Sequence, residues 1–147
     1  MKMDKEIIRS KLIRLSGHLS RIEEKRPEPL SKILTDPDVQ DILSHNLEKA
    51  VQACIDIAAH ICASYGRAPQ TSAEAFLTLS ELGLLDKTLA VKLVTAVGFR
   101  NVSVHDYAAI DWGIVMKIVV DGAEDLKSFG LSVASLVADP PPPGSRK

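Results

Sequence analysis

Aromatic side chains are scarce in this chain of 147 residues: one Trp, two Tyr and three Phe make up 4% of it. A protein that lays single-stranded RNA or DNA across a broad stacking platform needs more of them. An excess of one charge is missing too. The 18 Lys and Arg stand against 19 Asp and Glu, a formal net charge of -1, which excludes the extensive basic surface of a general nucleic-acid binder. No run of eighteen or more apolar residues occurs, so no membrane span is expected. The opening Met1-Lys2-Met3-Asp4-Lys5-Glu6 has no apolar core of signal-peptide length, and a soluble, cytoplasmic protein is the expectation. Cys54 and Cys62 are the only cysteines. On one helix their spacing is about 12 Å along the axis, too far to bridge, so reduced and packed thiols are expected. A Gly-rich phosphate loop, a Cys-x-x-Cys pair and a Gly-x-Ser-x-Gly turn are all absent. Nucleotide-loop, zinc-ribbon and serine-hydrolase chemistry are thereby set aside.

What is present is helical patterning. With 46% hydrophobic and 25% charged residues, the length suits one domain that buries about two thirds of its unfolded surface. Ile8, Leu12, Leu15, Leu19 and Ile22 recur at alternating spacings of four and three, the seam of an amphipathic helix over about residues 4–26. That seam could pack within the chain or form a dimer face. The same segment holds eight basic residues against four acids, a mildly basic end on an otherwise acidic chain. Thr35-Asp36-Pro37 starts a second helix, with a capping carboxylate followed by proline, and the helical period from Val39 to Tyr65 carries it to a stop at Gly66. Thr71-Ser72-Ala73-Glu74 reads as a capping box for a short third helix ending at Gly83. Asp86 caps a fourth, with Leu89, Leu93, Val94 and Val97 inward and Gly98 before a polar cluster, and Asp111 opens a last helix that continues towards Val137. The β-branched run Ile114 to Val120 is the one strand candidate, and no second strand exists to pair with it. The expected fold is an all-α antiparallel bundle of about five helices, a single domain over 1–138, with a disordered Pro-rich tail over 139–147.

The polar cluster is Arg100-Asn101-Val102-Ser103-Val104-His105-Asp106-Tyr107. On a helix, Arg100, Asn101 and His105 are expected to converge on one patch with Tyr107 at its rim. A guanidinium grips a phosphate by forked hydrogen bonds, a carboxamide positions an oxygen, and an imidazole moves protons near neutral pH. Together they suit metal-free cleavage of RNA by attack of a 2′-hydroxyl on its own phosphate. A plain helix end, with Arg for the surface, His capping carbonyls and Tyr in the core, accounts for the same residues, and the residues alone leave both readings open.

From residue 36 to about 130 the sequence resembles the HepT-like toxins of the HEPN superfamily, whose signature is Arg-x4-His-x-Tyr. Gly98-Phe99-Arg100-Asn101 leads into it and His105-Asp106-Tyr107 closes it. Ala53-Cys54-Ile55-Asp56-Ile57-Ala58-Ala59-His60-Ile61 is similar to the family's second-helix segment, and Glu74-Ala75-Phe76-Leu77-Thr78-Leu79 to its third. Met116 stands where many relatives have an aromatic. The resemblance implies a HEPN-type bundle and a metal-independent endoribonuclease toxin of a type VII toxin–antitoxin system. It implies a homodimer with the motifs facing one cleft, and an MntA-like nucleotidyltransferase antitoxin that transfers AMP to the motif tyrosine, here Tyr107. His105 is then the general acid/base, Arg100 the stabiliser of charge on the phosphorane and Asn101 an orienting donor, with no cofactor and no metal. A single motif histidine per chain agrees with two chains meeting, since one proton must leave the nucleophile and another reach the leaving oxygen. A non-catalytic helical module that binds a nucleotidyltransferase or a nucleotide is the alternative.

Other residues carry weaker signals. Asp56 and His60, four apart, could hold a metal, form a structural pair or support the cleft. His18 and His45 read as surface residues. Trp112 reads as core packing, with base stacking or closure of the dimer cleft as the other option. With little aromatic surface and no net positive charge, any contact with RNA is expected to be local, at one phosphate.

Overall fold

The structure, a computed structural model, describes residues 3–138, and all the regular structure among them is helical. Helix α1 spans Lys5–Lys25, a 3-10 turn Leu30–Leu34, α2 Pro37–Ser64, α3 Ser72–Glu81 and α4 Lys87–His105. A second 3-10 turn, Tyr107–Ala109, leads to α5 (Trp112–Lys117), a π-helical turn (Ile118–Gly122) and α6 (Ala123–Val137). The last three run on without leaving helical backbone angles, so the described residues make five helical rods and the all-α expectation holds. The Pro-rich tail lies outside the described residues. No helix among them is long and apolar enough to cross a membrane.

Local chemistry sets the helix starts. Asp4, Asp36, Asp86 and Asp111 each accept backbone N–H bonds from the first turn that follows, and Pro37 sits where a missing N–H costs nothing. Thr71 Oγ1 accepts from Glu74 N at 3.1 Å, while the Glu74 carboxylate reaches back to Gln70 N rather than to the cap residue itself. Gly66 and Gly83 follow α2 and α3 with φ of 75° and 74°, a backbone state that other residues adopt only under strain.

Ile8, Leu15 and Ile22 are buried against the rest of the bundle and Leu12 and Leu19 pack partly buried beside them, so the α1 seam is intrachain core and not a dimer face. The main core joins α1, α2, α3, α4 and α6, with Phe76 and Phe129 edge to face at 5.5 Å. Cys54 and Cys62 lie in it as free thiols, pushed up in pKa by burial. A second cluster of Ile22, Ile33, Leu43, Leu47, Phe99, Ile110, Val115 and Val119 ties the end of α4 to α2 and α5. Phe99 thereby fixes the rotation of α4 immediately before Arg100.

The polar cluster is helical, as expected: α4 runs through Gly98 to His105 and ends only at Asp106, whose φ of -153° leaves the helix. The β-branched run at 114–120 is helical too, and its second half forms a π turn that the sequence pattern did not predict. There the extra residue per turn brings Ile118 against Gly122, where an added Cβ would sit 2.9 Å from Ile118 Cγ2.

Candidate active site

One polar row on α2 faces the end of α4. Asp41, Ser44, Glu48, Gln52 and Asp56 follow each other at spacings of three and four, which places them on one side of a helix otherwise rich in buried residues. Gln52 Oε1 accepts from Arg100 Nε at 2.8 Å and from Arg100 Nη2 at 2.5 Å. Arg100 Nη1 donates to Asn101 Oδ1 at 2.6 Å. One turn along, the buried Ser103 hydroxyl donates to Glu48 Oε2 at 3.0 Å. Among the described residues Arg100 meets two neutral amide oxygens and no carboxylate at ion-pair distance, so its charge is left unpaired.

Tyr107 sits on the turn after α4. Its phenol donates to Asp41 Oδ1 at 2.5 Å and accepts a long bond from Ser44 Oγ at 3.5 Å, and its ring packs edge-on against Trp112 at 5.8 Å. The residue is nevertheless 45% exposed. Partial burial, with the Asp41 carboxylate beside the hydroxyl, raises the phenol pKa above its ordinary 10.0, so Tyr107 is protonated at neutral pH.

His105 lies on the exposed face of α4, and its side chain makes no hydrogen bond or ion pair among the described residues. The expected convergence is therefore only partial. Arg100 and Asn101 touch, whereas His105 and Tyr107 bond to neither. The reason is angular: five residues carry His105 about 140° round the helix from Arg100, while four carry it only about 40° from Asn101. Asn101 and His105 thus share the open face, and Gln52 holds Arg100 over the edge of α2.

Asp56 and His60 do not form a pair. Asp56 Oδ1 accepts from Gln52 Nε2 at 2.8 Å and its other oxygen lies 3.6 Å from Lys11 Nζ, while His60 Nε2 accepts from the Asp4 amide at 3.1 Å. No group of three or more His, Cys, Asp or Glu among the described residues could hold a metal ion. His18 is not a plain surface residue: half-buried, its Nδ1 lies 3.0 Å from Asn46 Oδ1. His45 is exposed, and Trp112 packs partly buried on the second cluster, as core packing requires. Gln52, Asp41, Ser44 and Glu48 were not singled out by the sequence. Their signal was the polar row on α2, which helical spacing alone can reveal.

The model of the family described as "Ribonuclease HepT-like" matches residues 15–133. The chain belongs to the ribonuclease HepT-like family. The HepT-like assignment expected from the Arg-x4-His-x-Tyr motif is thus borne out, and with it the ribonuclease class that the family's name states. A relative from Shewanella oneidensis, the "mRNA nuclease HepT", is 33% identical over 125 residues, covering 84% of this chain and 93% of the relative. The "tRNA nuclease HepT" of Aphanizomenon flos-aquae is 30% identical over 106 residues, 71% of this chain and 72% of that one. The solved tri-AMPylated HEPN toxin of Shewanella oneidensis, in complex with an MNT antitoxin, superposes with a TM-score of 0.81 at 32% identity. That match covers 88% of this chain and 97% of the other. This HepT-like chain therefore shares its helical frame with a toxin that is itself AMPylated.

Proposed function

We propose that this HepT-like chain is a metal-independent endoribonuclease toxin, silenced by transfer of AMP to Tyr107 from a nucleotidyltransferase antitoxin. The observation that carries the reading is Arg100, a cation held in place by neutral acceptors beside an open face that displays Asn101 and His105. Such a cation is available to phosphate oxygens. The reaction forms a bond from the RNA 2′-oxygen to phosphorus and breaks the bond from phosphorus to the 5′-oxygen. A base takes the 2′-hydroxyl proton, an acid returns one to the 5′-oxygen, and Arg100 stabilises the charge that builds on the phosphorane. His105 fills one proton-transfer role. His105 of a second copy fills the other, and the homodimer is supported by the exposed apolar surface on α4. Val91 and Val102 are exposed there, on the face shared with Gly98 and His105. Two free, buried thiols suit the reducing cytoplasm.

Modification acts through the seat of Tyr107. When the phenol oxygen bonds to the α-phosphorus of ATP, pyrophosphate leaves and the phenolic proton is lost. Tyr107 can then no longer donate to Asp41, and the new phosphate is repelled by that carboxylate. The adduct swings from Asp41 towards the unpaired guanidinium of Arg100 and occupies the position a scissile phosphate needs. Asn101 and His105 stay exposed but lack their anion site.

Induced expression tests both halves. Wild-type chain should arrest growth, and co-expression of its nucleotidyltransferase should restore growth and add AMP to the Tyr107 peptide by mass spectrometry. Arg100→Ala and His105→Ala should be harmless. A harmless wild type would favour the non-catalytic module, and arrest by Arg100→Ala would remove Arg100 from the chemistry.

A further inference from the structure

We infer that Gln52 is a positioning residue for Arg100, and that Asp56, backed by Lys11, sets which end of the Gln52 amide faces the guanidinium. This rests on the reading that Arg100 contacts the scissile phosphate. A guanidinium carries five N–H donors. Gln52 Oε1 binds two of them along one edge, through Nε and Nη2, and Asn101 takes one from Nη1. Two donors remain for phosphate, on a group whose plane is fixed before RNA arrives. Fixing it in advance removes the ordering cost that a long, flexible side chain otherwise meets in the transition state.

The amide is suited to this in a way a carboxylate is not. Glutamate at this position would form a forked ion pair and cancel the charge that the phosphate needs. An amide has two unlike ends, however, and turning its NH2 towards Arg100 would set donor against donor. Asp56 prevents the turn by accepting from Gln52 Nε2 at 2.8 Å, and Lys11 lies 3.6 Å from the other Asp56 oxygen. The chain Lys11–Asp56–Gln52–Arg100 thus crosses α1, α2 and α4. The Asp56 charge stays one residue removed from Arg100. Lys11 and Asp56 are partly exposed, at 28% and 41% of their side chains, so Lys11 itself contributes little and Asp56 carries the orientation.

The test compares Gln52→Met, Gln52→Glu, Asp56→Ala and Arg100→Ala in the full chain. Cleavage is read on a mixed pool of tRNA and mRNA, and binding on fully 2′-O-methylated RNA, which cannot react. Gln52→Met should slow single-turnover cleavage by about 10- to 100-fold while weakening binding by less than about threefold, because misplacement acts on the transition state. Gln52→Glu should weaken binding as well and lower the salt dependence by about one phosphate contact. The Arg100 Nε–H resonance, assigned by its absence in Arg100→Lys, should be sharp in the wild type and broadened in Gln52→Met. A purely structural Gln52 would change the melting temperature and leave that resonance and the split between rate and binding unmoved. Should Gln52→Met not fold, Asp56→Ala leaves Gln52 in place and should still cost about 3- to 10-fold in rate. Wild-type rates in the Gln52 and Asp56 variants, with Arg100→Ala inactive, would overturn the positioning role alone. Wild-type cleavage by Arg100→Ala would instead overturn the phosphate reading beneath it.

Discussion

Replacing Tyr107 by Phe deletes one oxygen and keeps the ring, so it isolates the bond to Asp41. In the native chain that oxygen donates to a carboxylate at 2.5 Å and receives only a long contact from Ser44. Hydrogen bonds to charged groups contribute about 1.5–3 kcal/mol when sheltered. Tyr107 is 45% exposed, and competing water brings the expected loss to about 1 kcal/mol. In a domain of this size that is a fall of about 2–4 °C in Tm. The edge-on contact with Trp112 survives the change. A double-mutant cycle with Asp41→Ala, followed by urea unfolding, should assign most of that loss to the Tyr107–Asp41 pair. The pH dependence has a definite sign. The phenol pKa is raised on folding, so its contribution is fully present below the ordinary value of 10.0 and is lost as pH rises through the folded value. Titration of the phenol should therefore leave the stability difference between wild type and Tyr107→Phe unchanged below about pH 10 and shrink it above. Tyr107→Phe should still cleave RNA and should accept no AMP. A loss above about 3 kcal/mol, or a cycle with no coupling, would show that Tyr107 holds the fold in some other way.

Gly122→Ala should destabilise by about 1–3 kcal/mol, because its Cβ would meet Ile118 Cγ2 at 2.9 Å, and the penalty should vanish when Ile118→Ala clears the space. Equal penalties in both backgrounds, measured by thermal unfolding, would refute the close approach. Val102→Glu, placed on the exposed apolar surface of α4, should yield a monomer by sedimentation with unchanged helicity and little cleavage. A dimer that persists would move the interface elsewhere.

The helix starts were legible because capping is local. Asp36-Pro37, Thr71, Asp86 and Asp111 each act within one turn of the residues they cap. The helical course of α4 through Gly98 was legible as well, and burial of Phe99 and Val97 on either side outweighs the weak helix preference of one glycine. The π turn within the last helix was hidden. Its β-branched residues suit a strand in isolation, and the packing of Val115 and Val119 against the second cluster decides for a helix. In the candidate site, the motif fixed which residues to inspect but not their partners. Gln52 lies 48 positions from Arg100, and Asp41 lies 66 from Tyr107, separations at which spacing carries no information. The expected meeting of Arg100 with His105 failed on rotation about a single helix.

The most direct measurement is an end-group analysis of RNA cleaved by the purified chain in the presence of a chelator. Attack by the 2′-hydroxyl predicts a 2′,3′-cyclic phosphate, or the phosphate it hydrolyses to, on one fragment and a 5′-hydroxyl on the other. The yield should be unchanged by the chelator and lost in Arg100→Ala and His105→Ala. Fragments bearing 5′-phosphate and 3′-hydroxyl ends, or cleavage that stops when metal is removed, would contradict the account.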